Sequence, residues 1–273
     1  GIIQTVADAI KLLLKEQIMP LKADRAMYLL APILALVPSF LIFMIIPLGP
    51  DLNIEVGGKD YVVDFVGADL NVGVLYFLAL SSIAVYSVVL AGWSSGSKYP
   101  LLGGVRASAQ MISYEAAMGL SLVPVILYSG SLSLVDIVSS QSGNLSTSIP
   151  ILSSIVSFIP KWNIFPQFIA FGIFFIAAVA EVNRAPFDLV EAEQELVGGF
   201  HTEYSGFRFA MFFLAEYINM FNMCAITATF FLGGWLGPTF ENFLPPVLSA
   251  IMPIIWLGVK TFLLLFIFVW IRA

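Results

Sequence analysis

Several stretches of this chain run for about twenty residues without a charge, among them Met27–Ile46, Val74–Trp93 and Trp162–Ala180. A helix needs about 20 apolar residues to cross the hydrocarbon core of a bilayer, and each stretch supplies that length. Only 11% of the 273 residues are charged and 59% are hydrophobic. A soluble domain carries about 25% charged residues, so a water-facing surface cannot be assembled from this composition. The expected fold class is all-α, a polytopic transmembrane helical bundle forming one membrane domain. Spans are expected near 26–47, 71–93, 108–130, 163–185, 207–234 and 246–271. Pro32, Pro38, Pro124 and Pro253 fall inside them, as membrane helices tolerate.

Residues 1–22 are too polar to be a span. Ile3, Val6, Ala7, Ile10, Leu13, Leu14 and Ile18 recur at helical spacing, with Asp8, Lys11, Lys15 and Glu16 between them. That pattern predicts an amphipathic helix, lying in the membrane interface or packed on another subunit. The chain begins at Gly1 without a signal peptide, ends at Ala273 just past an apolar run, and is read as a fragment.

Basic residues divide unevenly between the two ends of the bundle. One end receives residues 1–25, the 93–107 loop, the 181–208 loop and the C-terminus. It carries Lys11, Lys15, Lys22, Arg25, Lys98, Arg106, Arg184, Arg208 and Arg272. The other end holds only Lys59 and Lys161, and Lys260 falls within the last span. The positive-inside rule therefore makes the first end cytoplasmic, or matrix-like in an organelle. The far end carries an acidic loop (Asp51, Glu55, Asp60, Asp64, Asp69) and a Ser-rich loop at 139–158, both read as solvated connectors.

Glu115, Glu181, Glu216 and Lys260 sit where charges are costly. An ionised side chain at the centre of a span costs about 2.5–3.5 kcal/mol on insertion scales, and such groups usually face the bundle interior or a wet cavity. Each alone could be a paired structural group. Three carboxylates and an amine together favour a hydrated proton path. The 181–208 segment adds Asp188, Glu191, Glu193, Glu195 and Glu203, opposed only by Arg184 and Arg208. The plainer alternative is a solvated acidic loop, but Phe187, Leu189, Leu196, Val197 and Phe200 are interleaved and predict that it packs. Gly198 and Gly199 would let it bend. Single Cys224 excludes an intrachain disulfide and a cysteine-ligated iron–sulfur cluster, and single His201 argues against a histidine metal or haem site. Any redox centre is expected on a partner.

The segments Glu181-Val-Asn-Arg-Ala-Pro-Phe-Asp188, Glu191-Ala-Glu-Gln-Glu-Leu-Val-Gly-Gly199, Glu203-Tyr-Ser-Gly206 and Glu216-Tyr217 resemble the quinone-site membrane subunit of respiratory complex I. That complex is the proton-pumping NADH:quinone oxidoreductase of bacteria and mitochondria. Ala7-Asp-Ala-Ile-Lys-Leu12, Ser97-Lys-Tyr-Pro100, Arg106-Ala-Ser-Ala-Gln110, Ser113-Tyr-Glu115 and Lys260-Thr-Phe-Leu263 carry the resemblance from end to end. It implies eight spans in the full chain, one before Gly1 and one after Ala273. It also implies a bacterial inner-membrane protein with its acidic loop in the cytoplasm. Such a membrane protein would form most of a chamber for a lipid-soluble quinone, with flavin and iron–sulfur clusters on partner subunits. Its partners would be other membrane-arm subunits, the hydrophilic quinone module and lipid, with no nucleic acid.

The resemblance maps Glu115, Glu181 and Glu216, with Lys260, onto a proton relay. Asp188, Glu191, Glu193, Glu195 and Glu203, with Arg184 and Arg208, map onto the coupling loop and the quinone chamber, and Asp8 and Arg25 lie beside that chamber. The nearest alternative is the homologous membrane subunit of an energy-converting hydrogenase or formate hydrogenlyase, which needs no quinone cavity. A structural anchor for the hydrophilic arm would need no intramembrane charges. An independent transporter is opposed by the lack of an internal repeat.

Overall fold

The structure is a computed structural model that describes residues 4–56, 59–144, 160–184, 186–187, 198–238 and 246–272. Helix α1 (Gln4–Leu14) is followed by α2 (Arg25–Met44), whose start is capped by Asp24 accepting from the amides of Ala26 and Met27. Strands β1 (Leu52–Val56) and β2 (Lys59–Val63) form an antiparallel hairpin. Then come α3 (Gly73–Ser94), α4 (Lys98–Ser129), α5 (Leu134–Ser140), α6 (Phe168–Glu181), a 3-10 turn at Gly199–His201, α7 (Gly206–Phe231) and α8 (Pro246–Arg272). Among the described residues, α2, α3, α4, α7 and the Ile251–Ile271 part of α8 are long and apolar enough to cross a membrane.

Large apolar side chains lie on both the inside and the outside of the bundle. Phe77, Phe174, Phe230 and Phe231 are fully buried, whereas Leu120, Leu127, Phe262 and Phe266 are well exposed. Water would not tolerate that outer surface, and a bilayer does. On α1, Val6, Ile10, Leu13 and Leu14 are all at least half exposed, so nothing described in this chain covers the amphipathic face. Both places expected for it, the interface and a neighbouring subunit, fit that exposure.

Contacts group the connections into two ends, as the charge distribution requires. At one end the Asp24 amide donates to Ser94 O at 2.9 Å, and the Ile18 amide donates to Ser205 Oγ at 3.0 Å. At the other, the amides of Ala68, Val74 and Ile164 donate to the carbonyls of Met44, Leu132 and Phe231.

Several boundaries differ from the expected ones. The amphipathic helix stops at Leu14 rather than near residue 22. The segment after it is held across the fold: Ser205 Oγ also donates to Glu16 O at 3.4 Å. The expected 93–107 loop is mostly helix, because α4 starts at Lys98 with Pro100 in its first turn, where the missing amide costs nothing. At 32 residues, α4 is about 48 Å long and exceeds the hydrocarbon thickness. The acidic 51–69 connector contains the β1–β2 hairpin.

The expected span at 163–185 contains α6, which has only 14 residues, about 21 Å. Residues 160–167 enter the bundle as irregular backbone. Asn163, fully buried, donates through Nδ2 to Phe230 O at 2.8 Å, and its amide donates to Gln141 Oε1 at 3.1 Å. Non-helical backbone survives at membrane depth only where protein groups satisfy it in this way. Beyond Glu181, Asn183 adopts a left-handed φ of 54° and ends the helix.

Candidate functional site

The site is assembled where α3, α4, α6 and α7 meet. Two adjacent serines on α3 serve two different carboxylates. Ser81 Oγ donates to Glu181 Oε1 at 2.7 Å, and Ser82 Oγ donates to Glu115 Oε1. Adjacent helical side chains diverge by about 100°, so one Ser-Ser pair reaches both α6 and α4. Glu181 is only 2% exposed. Its Oε2 has no hydrogen-bond partner among the described residues, which leaves it able to take a proton or a water.

Gln110 of α4 fastens the end of α6. Its Nε2 donates to Ala180 O at 3.0 Å and to Phe187 O at 2.7 Å, closing carbonyls left over where the helix stops. The rings of Tyr114 and Phe187 meet edge to face at 5.1 Å, fixing residue 187 just past the end of α6. Arg184 turns from this corner to α7. Its Nη2 lies 3.1 Å from Glu216 Oε1, and its guanidinium stacks 4.8 Å from the ring of Tyr217. Helix α6 ends before Arg184, so the ion pair runs between elements rather than along a helix to Glu181. The loop carboxylates Asp188, Glu191, Glu193 and Glu195 lie outside the described residues.

A cavity of about 70 Å³ opens between these groups, lined by Ser87, Glu181, Asn183, His201, Glu216 and Asn219 among others. Its walls are mixed, with Ala35, Val88, Met111 and Phe212 among the apolar ones, and it has room for a few waters. A quinone headgroup would need a larger pocket. His201 is brought in by the 3-10 turn and boxed by Phe200, Phe209 and Phe213, with ring centroids 4.9, 5.2 and 5.9 Å away. Burial pushes its imidazole pKa down to about 4, so at neutral pH it is an uncharged donor and acceptor. Gly199, at φ 62°, allows the turn to press against Gly103 of α4. The glycines expected to give a mobile bend therefore include one that packs backbone on backbone.

Glu203, Arg208 and Arg25 gather at the same end of the bundle, just outside the cavity. Tyr28 and Tyr204 stack with centroids 4.1 Å apart and planes 4° from parallel. Tyr28 Oη donates to Glu203 O at 2.8 Å, and Tyr204 Oη donates to Tyr28 O at 3.1 Å. Arg208 lies 5.6 Å from the Tyr28 ring. Burial raises the Tyr204 phenol pKa, so it stays protonated and keeps donating. Arg25 is exposed at the start of α2. Asp8 faces Lys11 at 3.8 Å on α1. Neither Asp8 nor Arg25 lines the cavity.

Lys260 lies elsewhere. Its Nζ donates to the carbonyls of Leu232, Gly234 and Leu236, the first two at 2.6 and 2.9 Å, and sits 4.2 Å from the ring of Trp162. All three of its donors are used on the turn that follows α7. The structure therefore brings Glu115, Glu181, Glu216 and Arg184 together and places Lys260 towards the far end.

Ser81, Ser82, Gln110, Asn183, His201 and Asn219 complete the site without standing out as site residues in the sequence. Adjacent serines and a glutamine inside apolar helices were the available signal, since buried polar groups need partners.

The family model described as NADH dehydrogenase matches residues 1–273. An H-type subunit of NADH-quinone oxidoreductase from Geobacter metallireducens is 49% identical over the whole chain, which covers 73% of that relative. Its counterpart in Koribacter versatilis is 47% identical, with 75% of its length covered. The H-type subunit of NADH-quinone oxidoreductase from Cupriavidus pinatubonensis is 48% identical, with 71% covered.

Proposed function

This chain belongs to the NADH dehydrogenase family, and on that footing we propose that it binds quinone at the cytoplasmic end of its bundle and couples quinone reduction to proton movement through Glu115, Glu181 and Glu216. It is a membrane subunit of an NADH-quinone oxidoreductase. Redox centres, flavin and iron–sulfur clusters, sit on partner subunits of the hydrophilic arm, which supply electrons. The quinone accepts two electrons and two protons and leaves as quinol.

The observation that carries this reading is the one small cavity onto which both Glu181 and Glu216 open, with Ser87, Asn183 and Asn219 beside them. Water in it would link the two carboxylates, and the Ser81-Ser82 pair extends the chain to Glu115. A passive anchor has no use for such an arrangement, because each buried charge costs stability. The quinone chamber is assigned to the neighbouring surface of α1, Arg25, the Tyr28–Tyr204 stack, Glu203 and Arg208, completed by the hydrophilic arm. Asp188, Glu191, Glu193 and Glu195 of the acidic loop are assigned to the coupling between that chamber and the relay. Lys260 takes a positioning role, holding the end of α7.

Quinone reduction changes charge at the loop. Two charges about 4 Å apart interact by about 4 kcal/mol at an effective dielectric near 20. That is about three powers of ten in a proton-transfer equilibrium. Arg184 is the group placed to convert this into motion of a proton, since it joins the loop corner to Glu216.

The test is Arg184→Lys in the assembled complex. Lysine keeps the charge but loses the planar fork and the stacking on Tyr217. Charge-assisted hydrogen bonds contribute about 1.5–3 kcal/mol. Quinone reductase activity is expected to fall about tenfold or more, with NADH oxidation by an artificial acceptor at the hydrophilic arm unchanged. Full quinone reductase activity in Arg184→Lys would remove the guanidinium from the coupling.

A further inference from the structure

We propose that the groove between α4 and α6 binds one anionic phospholipid, with its phosphate on Lys161 and one acyl chain along the groove. The groove is open to the outside, offers about 500 Å³ and is lined by Ala117, Leu120, Pro124, Ile169 and Ile173, with Gln167 at one end. It lies on the outer face of the bundle, where Leu120 and Ile169 are mostly exposed. Its shape follows from the shortness of α6: residues 160–167 are not helical, so among the described residues no turn of α6 lies beside the last turns of α4. Gln167 Nε2 bridges that space by donating to Pro124 O at 3.2 Å.

Positions 117, 120, 121, 124 and 128 of α4 form one helical stripe, so Tyr128 continues the groove wall by one turn. From Ala117 to Tyr128 that wall is about 16 Å long. At its upper end Lys161 Nζ lies 5.8 Å from the centre of the Tyr128 ring. The backbone of Lys161 is tied down, its amide donating to Gly143 O at 3.0 Å. In the sequence, Lys161 and Lys59 are the only basic residues assigned to this end of the bundle. A single cation and an interfacial aromatic over a long apolar slot match an amphiphile with an anionic head and a hydrocarbon tail. The charge at one end of the slot selects a phospholipid over the apolar helix of another subunit. This site is separate from the carboxylate cavity and does not depend on the proton relay.

The experiment uses the assembled complex reconstituted with phosphatidylglycerol bearing a photoreactive group in one acyl chain, and with the matching phosphatidylcholine probe. Adducts are mapped by mass spectrometry. Phosphatidylglycerol adducts are expected within residues 117–128 and 166–173, in excess over phosphatidylcholine. One lysine contributes about 1 kcal/mol to anionic lipid attraction, so Lys161→Gln should lower phosphatidylglycerol labelling about fivefold and leave phosphatidylcholine labelling unchanged. Ile169→Trp, which fills the groove, should lower labelling by both probes. Absence of adducts in the groove, as when another subunit's helix covers it, overturns the proposal. Equal labelling by the two probes, unchanged in Lys161→Gln, also overturns it.

Discussion

Glu181→Gln is expected to lower NADH:quinone oxidoreduction about a hundredfold while the complex still assembles. Glutamine matches glutamate in shape, and its amide oxygen can still accept from Ser81 Oγ, which lies 2.7 Å from Oε1 in the wild type. Packing around this residue, only 2% exposed, is therefore preserved. What disappears is the one group on α6 that can hold and release a proton between the cavity and the Ser81-Ser82 pair. Positioned proton-transfer groups contribute about 10²–10⁴-fold in rate, and the lower end applies to a group remote from the reacting quinone. Assembly is read by native gel and activity by quinone-dependent NADH oxidation. An assembled Glu181→Gln complex with more than half of wild-type activity would leave Glu181 a structural hydrogen-bond partner of Ser81.

The second large effect is expected at Gly103. A Cβ placed there would lie 2.7 Å from Gly199 C and 2.8 Å from the Gly199 Cα and the Phe200 nitrogen. These are backbone atoms, so no side-chain rotation relieves the clash. Overpacking a core usually costs about 1–3 kcal/mol, and contact with backbone raises that figure. Gly103→Leu must therefore push out the turn that carries Phe200 and His201 into the cavity. Assembled complex is expected to fall about tenfold in yield, with Gly103→Ala intermediate and melting at a lower temperature than wild type. Wild-type yield and melting temperature in Gly103→Leu would show that α4 and the turn are not in close contact.

The two predictions also mark what the sequence disclosed. Glu181 was legible because a carboxylate in an apolar span is costly, and the cost survives any detail of packing. Gly103 was not, because its role depends on Gly199, far away in sequence and brought close only by the fold. The same division runs through the helices. Uncharged stretches announced α2 and α3, whereas the one at Trp162–Ala180 overstated α6, which starts only at Phe168. The start of α4 was missed because Lys98 and Arg106 look like loop charges, although Pro100 is well placed in a first turn. The end of α1 was not legible either, because residues 16–18 are held by Ser205, across the bundle. Which residues pair was equally hidden: Arg184 lies three residues from Glu181, yet it meets Glu216 on another helix. Lys260 was legible as an intramembrane charge, but its partners are backbone carbonyls, which leave no trace in side-chain chemistry.

The most direct measurement of the relay is the proton-to-electron ratio of the assembled Glu216→Gln complex in sealed vesicles. Glutamine removes the titratable group facing both Arg184 and the cavity while keeping its approximate shape. Quinone reduction and proton pumping are expected to fall together, about tenfold or more, because electron transfer stalls when its coupled proton has nowhere to move. An assembled Glu216→Gln complex that reduces quinone and pumps at the wild-type rate and proton-to-electron ratio would contradict the account.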